Sequence, residues 1–256
     1  MDAIVTAGGI PQPEEPLYPY TQGISKALLD IHGKPMVQWV LDALCDADTI
    51  EHVVIVGLPE DSGLQCAKVG GYLPNQGGMI NNIKVGVQKV LEIHPNSQYV
   101  LIVSSDIPTI TAEMVNWVVT KALETDDDIY YNIIPRQVME TRFPGSKRTY
   151  THLKEGDVCG SDMNVIRSSL SGNDELWQKI VQSRKNVLRQ AALIGYGTLF
   201  LMLMRQLDMD TAVKRVAKKL NITGRAIVSP YAEIGMDVDK PHQLELVRAD
   251  LAGRSA

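Results

Sequence analysis

The chain has 256 residues, an apolar share of 45% and a net charge of −5. That length suits one large domain over 1–256 carrying an insertion, and is short for two domains plus a linker. Basic and acidic residues are mixed along it, which argues against a nucleic-acid partner held by a broad basic field and leaves room for a small anion held by local donors.

The chain opens MDAIVTAGG, with no basic segment leading into a long apolar run and a small-residue cleavage site, so the expected location is cytoplasmic. Asp2 to Thr6 reads as the first strand, followed by His52 to Gly57, Tyr99 to Ser104 and Asp128 to Ile134; each is rich in β-branched residues and bounded by turn signals. Between them, Val37 to Cys45, Asn82 to Ile93 and Thr111 to Leu123 carry apolar residues at three- and four-residue steps, as crossover helices of an α/β sheet do. Thr111 is the expected hydroxyl cap of its helix. It follows Ser104-Ser105-Asp106-Ile107-Pro108, just beyond the carboxyl end of a strand, where open α/β sheets bind ligands.

From Glu175 to Leu220 the alternation gives way to helical pattern, read as a helical insertion at about 175–220. Its apolar part, Ala191 to Leu207, contains Gly195 and Gly197 and is short for a span of ~20 residues. The expectation is a buried or self-associating helix, with a homo-oligomer through this segment, a lid over an acceptor as the next reading and a membrane-surface role as the least. The basic face Lys214, Arg215, Lys218 and Lys219 fits a solvated exterior. A last strand, Ala226 to Ser229, leads to Gly235-Met236-Asp237-Val238-Asp239 and a closing helix from Pro241 to Leu251. Cys45, Cys66 and Cys159 are widely separated, with no CxxC pair, and suggest neither a zinc site nor a disulfide framework.

Three segments carry candidate chemistry. Ala7-Gly8-Gly9 after the first strand lets backbone N–H groups approach phosphate oxygens, and Lys26 returns a point charge to the same mouth; a plain tight turn is the competing reading. Asp106 is a hard oxygen ligand suited to Mg²⁺, or else an ordinary turn acid. In Asp237-Val238-Asp239 the alternation of an extended segment sends both carboxylates to one face, although an acidic start to the last helix would look the same.

In their order, the initial AGG, the lysine of KALLDIHGKPMVQWVLDAL, the strand ending SSDIP and the late GMDVDKPHQL resemble the GT-A-like nucleotidyltransferases, in particular the molybdenum-cofactor guanylyltransferase-like and cytidylyltransferase branches. The resemblance is specific over Met1 to Leu44 and Tyr99 to Thr120, looser over Gly77 to Val90, and good again over Gly235 to Leu246. It implies a Rossmann-like mixed, mostly parallel sheet flanked by helices. It also implies transfer of an NMP from an NTP, CTP or GTP, to a small phosphorylated acceptor, with release of pyrophosphate.

By the same resemblance Ala7, Gly8 and Gly9 meet the nucleotide and Lys26 its phosphates. Asp106 and Asp239 hold Mg²⁺, with Asp237 the alternative; Gly78, Asn81 and Asn82 touch base or ribose, and Asn164 lies in an acceptor-side loop. The loop after AGG departs from the family's GxGxR: it is long, proline-rich and without arginine, so Lys26 and a base such as Arg142, Lys147 or Arg148 would serve the leaving group. The DxD-like pair 237–239 keeps a metal-dependent glycosyltransferase using a sugar nucleotide as one alternative, and the absent arginine keeps a non-catalytic nucleotide-binding protein as another.

Overall fold

The computed structural model describes residues 1–184 and 206–253. The apolar stretch from Ala191 to Leu207, and self-association or membrane contact through it, therefore falls almost wholly outside the described residues. In chain order the strands are β1 (Asp2–Thr6), β2 (Asp30–Ile31), β3 (Lys34–Pro35), β4 (Val53–Val56), β5 (Val69–Leu73), β6 (Tyr99–Ser104), β7 (Ile129–Pro135), β8 (Thr151–Leu153), β9 (Gly156–Gly160), β10 (Met163–Arg167) and β11 (Gly224–Val228). The α-helices are α1 (Tyr18–Thr21), α2 (Met36–Asp46), α3 (Met79–Ile93), α4 (Ala112–Ala122), α5 (Arg136–Arg142), α6 (Asp174–Arg184), α7 (Met209–Leu220) and α8 (Pro241–Ala252).

Among the described residues a mixed sheet of nine strands runs β5-β4-β1-β6-β10-β7-β9-β8, with β11 paired to β7. β1 is parallel to both neighbours, Ile4 lying opposite Val54 on one side and Ile102 on the other. Among the described strands, only β9 and β10 run against the rest. Period-2 alternation distributes β1 between two layers. Ala3 and Val5 face the core built with α2 and α4, and Ile4 faces α3 through Val54, Val87 and Val90. The stripe of α2, Met36, Val37, Val40, Leu41 and Leu44, is fully buried, each side chain contributing roughly 1.5–3 kcal/mol of apolar burial.

The expected strands and crossover helices stand within a few residues of their places, and several smaller elements are additions. β5 contains Gly70 and Gly71, which weaken a strand signal, and β8 and β9 form a short antiparallel pair around Glu155-Gly156. Thr111 holds the extended conformation of an N-cap, but its hydroxyl accepts no capping N–H. The turn begins instead on the backbone bond from Val115 N to Thr111 O, 3.1 Å.

Of the helical insertion, α6 and α7 are described. Leu176 and Leu220 meet Leu170 in a small separate cluster, and Lys214, Arg215, Lys218 and Lys219 are exposed. Asp208 caps α7 through Thr211 N at 2.8 Å. Cys45 and Cys66, far apart in the sequence, meet with their sulfurs 2.8 Å apart. Among the described residues no helix is long and apolar enough to cross a membrane.

Candidate active site

The carboxyl ends of β1 and β6 open into a cleft of about 600 Å³. At its floor the chain leaves β1 through Ala7, which is fully buried and donates its N–H to Val56 O at 2.7 Å. That amide is already used, so Ala7 supports the loop while Gly8 and Gly9 line the cleft. The close approach of two backbones here depends on Gly57. Its φ is +112°, and a Cβ built on it would lie 2.3 Å from Gly8 N. Sequence reading overlooked Gly57 because its partner is a residue 49 positions away (57 − 8).

Lys26 begins a 3₁₀ turn, Lys26–Leu28, capped by Ser25. Ser25 Oγ donates to Ala7 O at 2.7 Å and Lys26 N donates to Gly9 O at 2.9 Å, so the glycine loop and the lysine are hydrogen-bonded into one unit. The side chain then crosses the cleft, with Nζ 2.5 Å from Asp106 Oδ2 and 2.5 Å from Asp239 Oδ1. Burial alone would lower the pKa of this lysine. The charges and hydrogen bonds of Asp106 and Asp239 outweigh burial and hold the ammonium well above its ordinary value.

Asp106 follows β6 and is 7% exposed in its side chain, whereas Asp239 is 56% exposed. The two are linked through the backbone: Val238 N donates to Asp106 O at 2.9 Å, and the fully buried Val238 leaves Asp237 and Asp239 both facing the cleft. Asp106 Oδ1 is buried with no hydrogen-bond donor. An orphaned carboxylate oxygen in an acidic, all-oxygen cluster fits a hard divalent cation such as Mg²⁺. Lys26 offsets part of the charge of Asp106 and Asp239 in this structure.

Asp237 is committed elsewhere, paired with the Arg148 guanidinium, whose Nη2 also stands 3.6 Å from Asp162 Oδ2. Asp162 lines the same cleft. Burial first, and then the charge of Asp106, push its carboxyl up to about 7 against the opposing pull of Arg148. The cleft therefore gathers four carboxylates, Asp106, Asp162, Asp237 and Asp239, with Lys26 and Arg148 as their counter-charges.

Along the opposite wall, Gly78 precedes α3 and Asn82 is buried in its first turn. Asn82 Oδ1 accepts from Gln76 N at 2.7 Å, and its Nδ2 donates to Asn75 Oδ1 at 3.1 Å. Asn75 Nδ2 in turn donates to Gly8 O at 2.8 Å. Much of the hydrogen-bonding capacity of Asn82 is thus spent shaping the loop, and Asn75 joins that loop to the glycines of β1. Asn81 is exposed and off the cleft lining, its Nδ2 donating to Gln76 O at 3.3 Å. Asn164 also lies off the lining. It stands in β10, accepting from Asn132 N at 2.8 Å and donating to Ser161 O at 2.9 Å.

The bases expected to stand in for an arginine separate. Arg142 pairs with Glu233 at 2.7 Å and Asp250 at 2.6 Å and borders a different surface hollow, Lys147 is exposed off the cleft, and Arg148 is held by the acids. A cation not anticipated from the sequence, Lys240, joins Lys26, Gly9 and Asp239 around an adjoining hollow of about 370 Å³ under the proline-rich loop. The result is a glycine-backbone cradle, two lysines and an acid cluster around one opening, an arrangement suited to a polyphosphate and a divalent cation.

Known proteins share this fold. A hypothetical transferase from Thermus thermophilus is 34% identical, with 95% of this chain and 98% of that chain covered and a TM-score of 0.82. A CMP:2-keto-3-deoxy-manno-octonic acid synthetase complexed with CTP shares the fold at 16% identity and a TM-score of 0.53, covering 99% of this chain and 98% of that one. So does 4-diphosphocytidyl-2C-methyl-D-erythritol synthase from Anaerococcus prevotii, at 12% identity and a TM-score of 0.58, covering 98% and 95%. No curated protein sequence matches. The family described as the MobA-like NTP transferase domain matches residues 20–221, and the chain belongs to it.

Proposed function

We propose that the protein transfers an NMP from an NTP, CTP or GTP, to a small phosphorylated acceptor with release of pyrophosphate. The observation that carries this reading is the convergence, in one cleft, of the Gly8-Gly9 backbone, Lys26 and the Asp106–Asp239 pair. An acceptor phosphate oxygen attacks the α-phosphorus. The new P–O bond forms as the bond to the β-phosphate bridging oxygen breaks, and its electron pair leaves with pyrophosphate. A phosphate acceptor arrives deprotonated near neutral pH, so no protein nucleophile or base is required.

Asp106 and Asp239 would hold Mg²⁺, which when bound neutralises phosphate charge and helps to orient the reacting groups. The remaining work falls to this chain's own groups. Lys26, released from the two aspartates, turns to the triphosphate as a point charge. Lys240 faces the adjoining hollow and offers a second positive charge there, in place of the arginine of the GxGxR loop. Backbone amides at Gly8 and Gly9 approach the phosphates without a side chain between. Asn75 and Asn82 hold the wall where base and ribose would lie. The CTP-bound synthetase of the same fold supports CTP as one of the two candidate nucleotides.

Pyrophosphate release, measured with each of the four NTPs and a panel of sugar, polyol and cofactor-precursor phosphates, tests the reading. Release that needs both an NTP and an acceptor supports it. Turnover of sugar nucleotides in place of NTPs, or NTP binding with no turnover of any acceptor, would overturn it.

A further inference from the structure

At the far end of β1 from the cleft, about 13 Å away by four strand rises, Asp2 is 1% exposed and both its carboxylate oxygens face imidazoles. Oδ1 lies 3.0 Å from His52 Nδ1, and Oδ2 lies 3.3 Å from His94 Nδ1. The donor atoms of the three residues all fall within 4.8 Å of one another. A second carboxylate is in reach, with Glu51 Oε2 3.7 Å from His94 Nδ1.

The backbone presets this cluster. Ala3 N donates to His52 O at 2.8 Å, which fixes His52 at the start of β4 beside β1. His94 closes α3, donating its N–H to Val90 O at 2.7 Å, and Ser97 N bonds His94 O at 3.0 Å. Ser97 Oγ donates to Asp2 Oδ2 at 2.7 Å, orienting the carboxylate as supporting hydrogen bonds orient metal ligands. Both imidazoles are partly exposed, so an ion has a way in.

We infer that Asp2, His52 and His94 form a binding site for one divalent cation of the zinc type, completed by Glu51 or water and separate from the nucleotide cleft. Tetrahedral zinc with bonds of about 2.0–2.1 Å to nitrogen places neighbouring donors about 3.3 Å apart. The two Asp2–His separations, 3.0 Å from Oδ1 to His52 and 3.3 Å from Oδ2 to His94, are already close to that edge, so a small turn of the carboxylate and imidazoles would bring one oxygen and both nitrogens onto one ion. Two imidazoles with one or two carboxylates select zinc over magnesium, which prefers oxygen ligands throughout. The two sites therefore differ in chemistry as well as in place. A cation here would clip the starts of β1 and β4 to the end of α3.

The test uses the full chain, stripped with a chelator and dialysed against zinc, with metal counted by atomic emission. Wild type is expected to keep one zinc per chain, as is Asp106→Asn/Asp239→Asn, which silences the cleft. His52→Asn and His94→Asn should each weaken zinc at least 100-fold. Wild type loaded with Co²⁺ should show visible bands of a low-coordinate nitrogen and oxygen site without a sulfur-to-metal charge-transfer band, a readout that needs no variant to fold. Zinc lost from wild type on dialysis would overturn the site, as would equal retention by both histidine variants. A thiolate band would also overturn it by placing the metal on Cys45 and Cys66.

Discussion

Asp106 and Asp239 make equally short contacts with one ammonium and differ mainly in solvent access, which separates their effects on stability from their effects on function. Asp106 is 7% exposed and Lys26 18%, so Asp106→Asn leaves a buried ammonium without its better-shielded counter-ion. Breaking a buried pair by removing one partner costs about 3–5 kcal/mol. Lys26 keeps Asp239, and the amide oxygen still accepts a hydrogen bond, so roughly 2–3 kcal/mol is expected. Asp239 is 56% exposed, and its contact is screened by water. Asp239→Asn should therefore cost about 0–1 kcal/mol. Both variants should lose most turnover, because each removes charge from the proposed cation site. Urea unfolding in the presence of a chelator, with unchanged m-values, gives the two stabilities. Equal costs, or a smaller cost for Asp106→Asn, would refute the buried-pair reasoning even if both enzymes were inactive.

Three further outcomes follow from the same geometry. Lys26→Ala removes the cation between the two aspartates, so Mn²⁺ affinity in the absence of nucleotide should rise several-fold by electron paramagnetic resonance while NTP affinity falls; a fall in both would remove Lys26 from its role as internal counter-ion. Gly57→Ala must place a Cβ against the Gly8 backbone at a φ that side chains rarely adopt, and should cost more than about 3 kcal/mol in urea unfolding. A cost under about 1 kcal/mol would show that the loops can separate freely. The raised pKa of Asp162 means that the folded chain holds a proton from about pH 4 up to about 7 that the unfolded chain releases. Its contribution to stability is full below that window and is lost as pH rises through it. In chelator, Asp162→Asn should therefore gain stability over wild type more at pH 8 than at pH 4, and a pH-independent difference would contradict the assignment.

Much of the site was legible because open α/β sheets put ligands at strand ends, and Gly8, Lys26, Asp106 and Asp239 each follow a recognisable strand or sit in a family segment. What escaped depends on contacts between distant residues. Asn75 has no local signal and matters through Gly8, 67 positions away. The pairing of Arg148 with Asp237 and the place of Asp162 require β9, β10 and the 237–239 segment to meet, and the resemblance puts Asn164 in an acceptor-side loop where the structure has the strand Met163–Arg167. The resemblance makes Asn82 and Asn164 ligand-side amides; in the structure Asn82 lines the cleft while bonding Gln76 and Asn75, and Asn164 lies off the lining and bonds Asn132 and Ser161. Cys45 with Cys66, and Asp2 with His52 and His94, become neighbours only through the packing of α2, β1, β4 and α3. The absent arginine was visible as a gap, whereas Lys240 became a candidate to fill it only once the hollow beside Gly9 was in view.

The most direct measurement of the central claim is the fate of labelled phosphorus when the full chain is supplied with Mg²⁺, acceptor and either α- or γ-labelled NTP. Nucleotidyl transfer at the Lys26–Asp106–Asp239 cleft requires the α-label to appear in an acceptor conjugate and the γ-label in pyrophosphate, in equal amounts, with both lost in Asp106→Asn. Release of the γ-label as orthophosphate, or full transfer by Asp106→Asn, would contradict it.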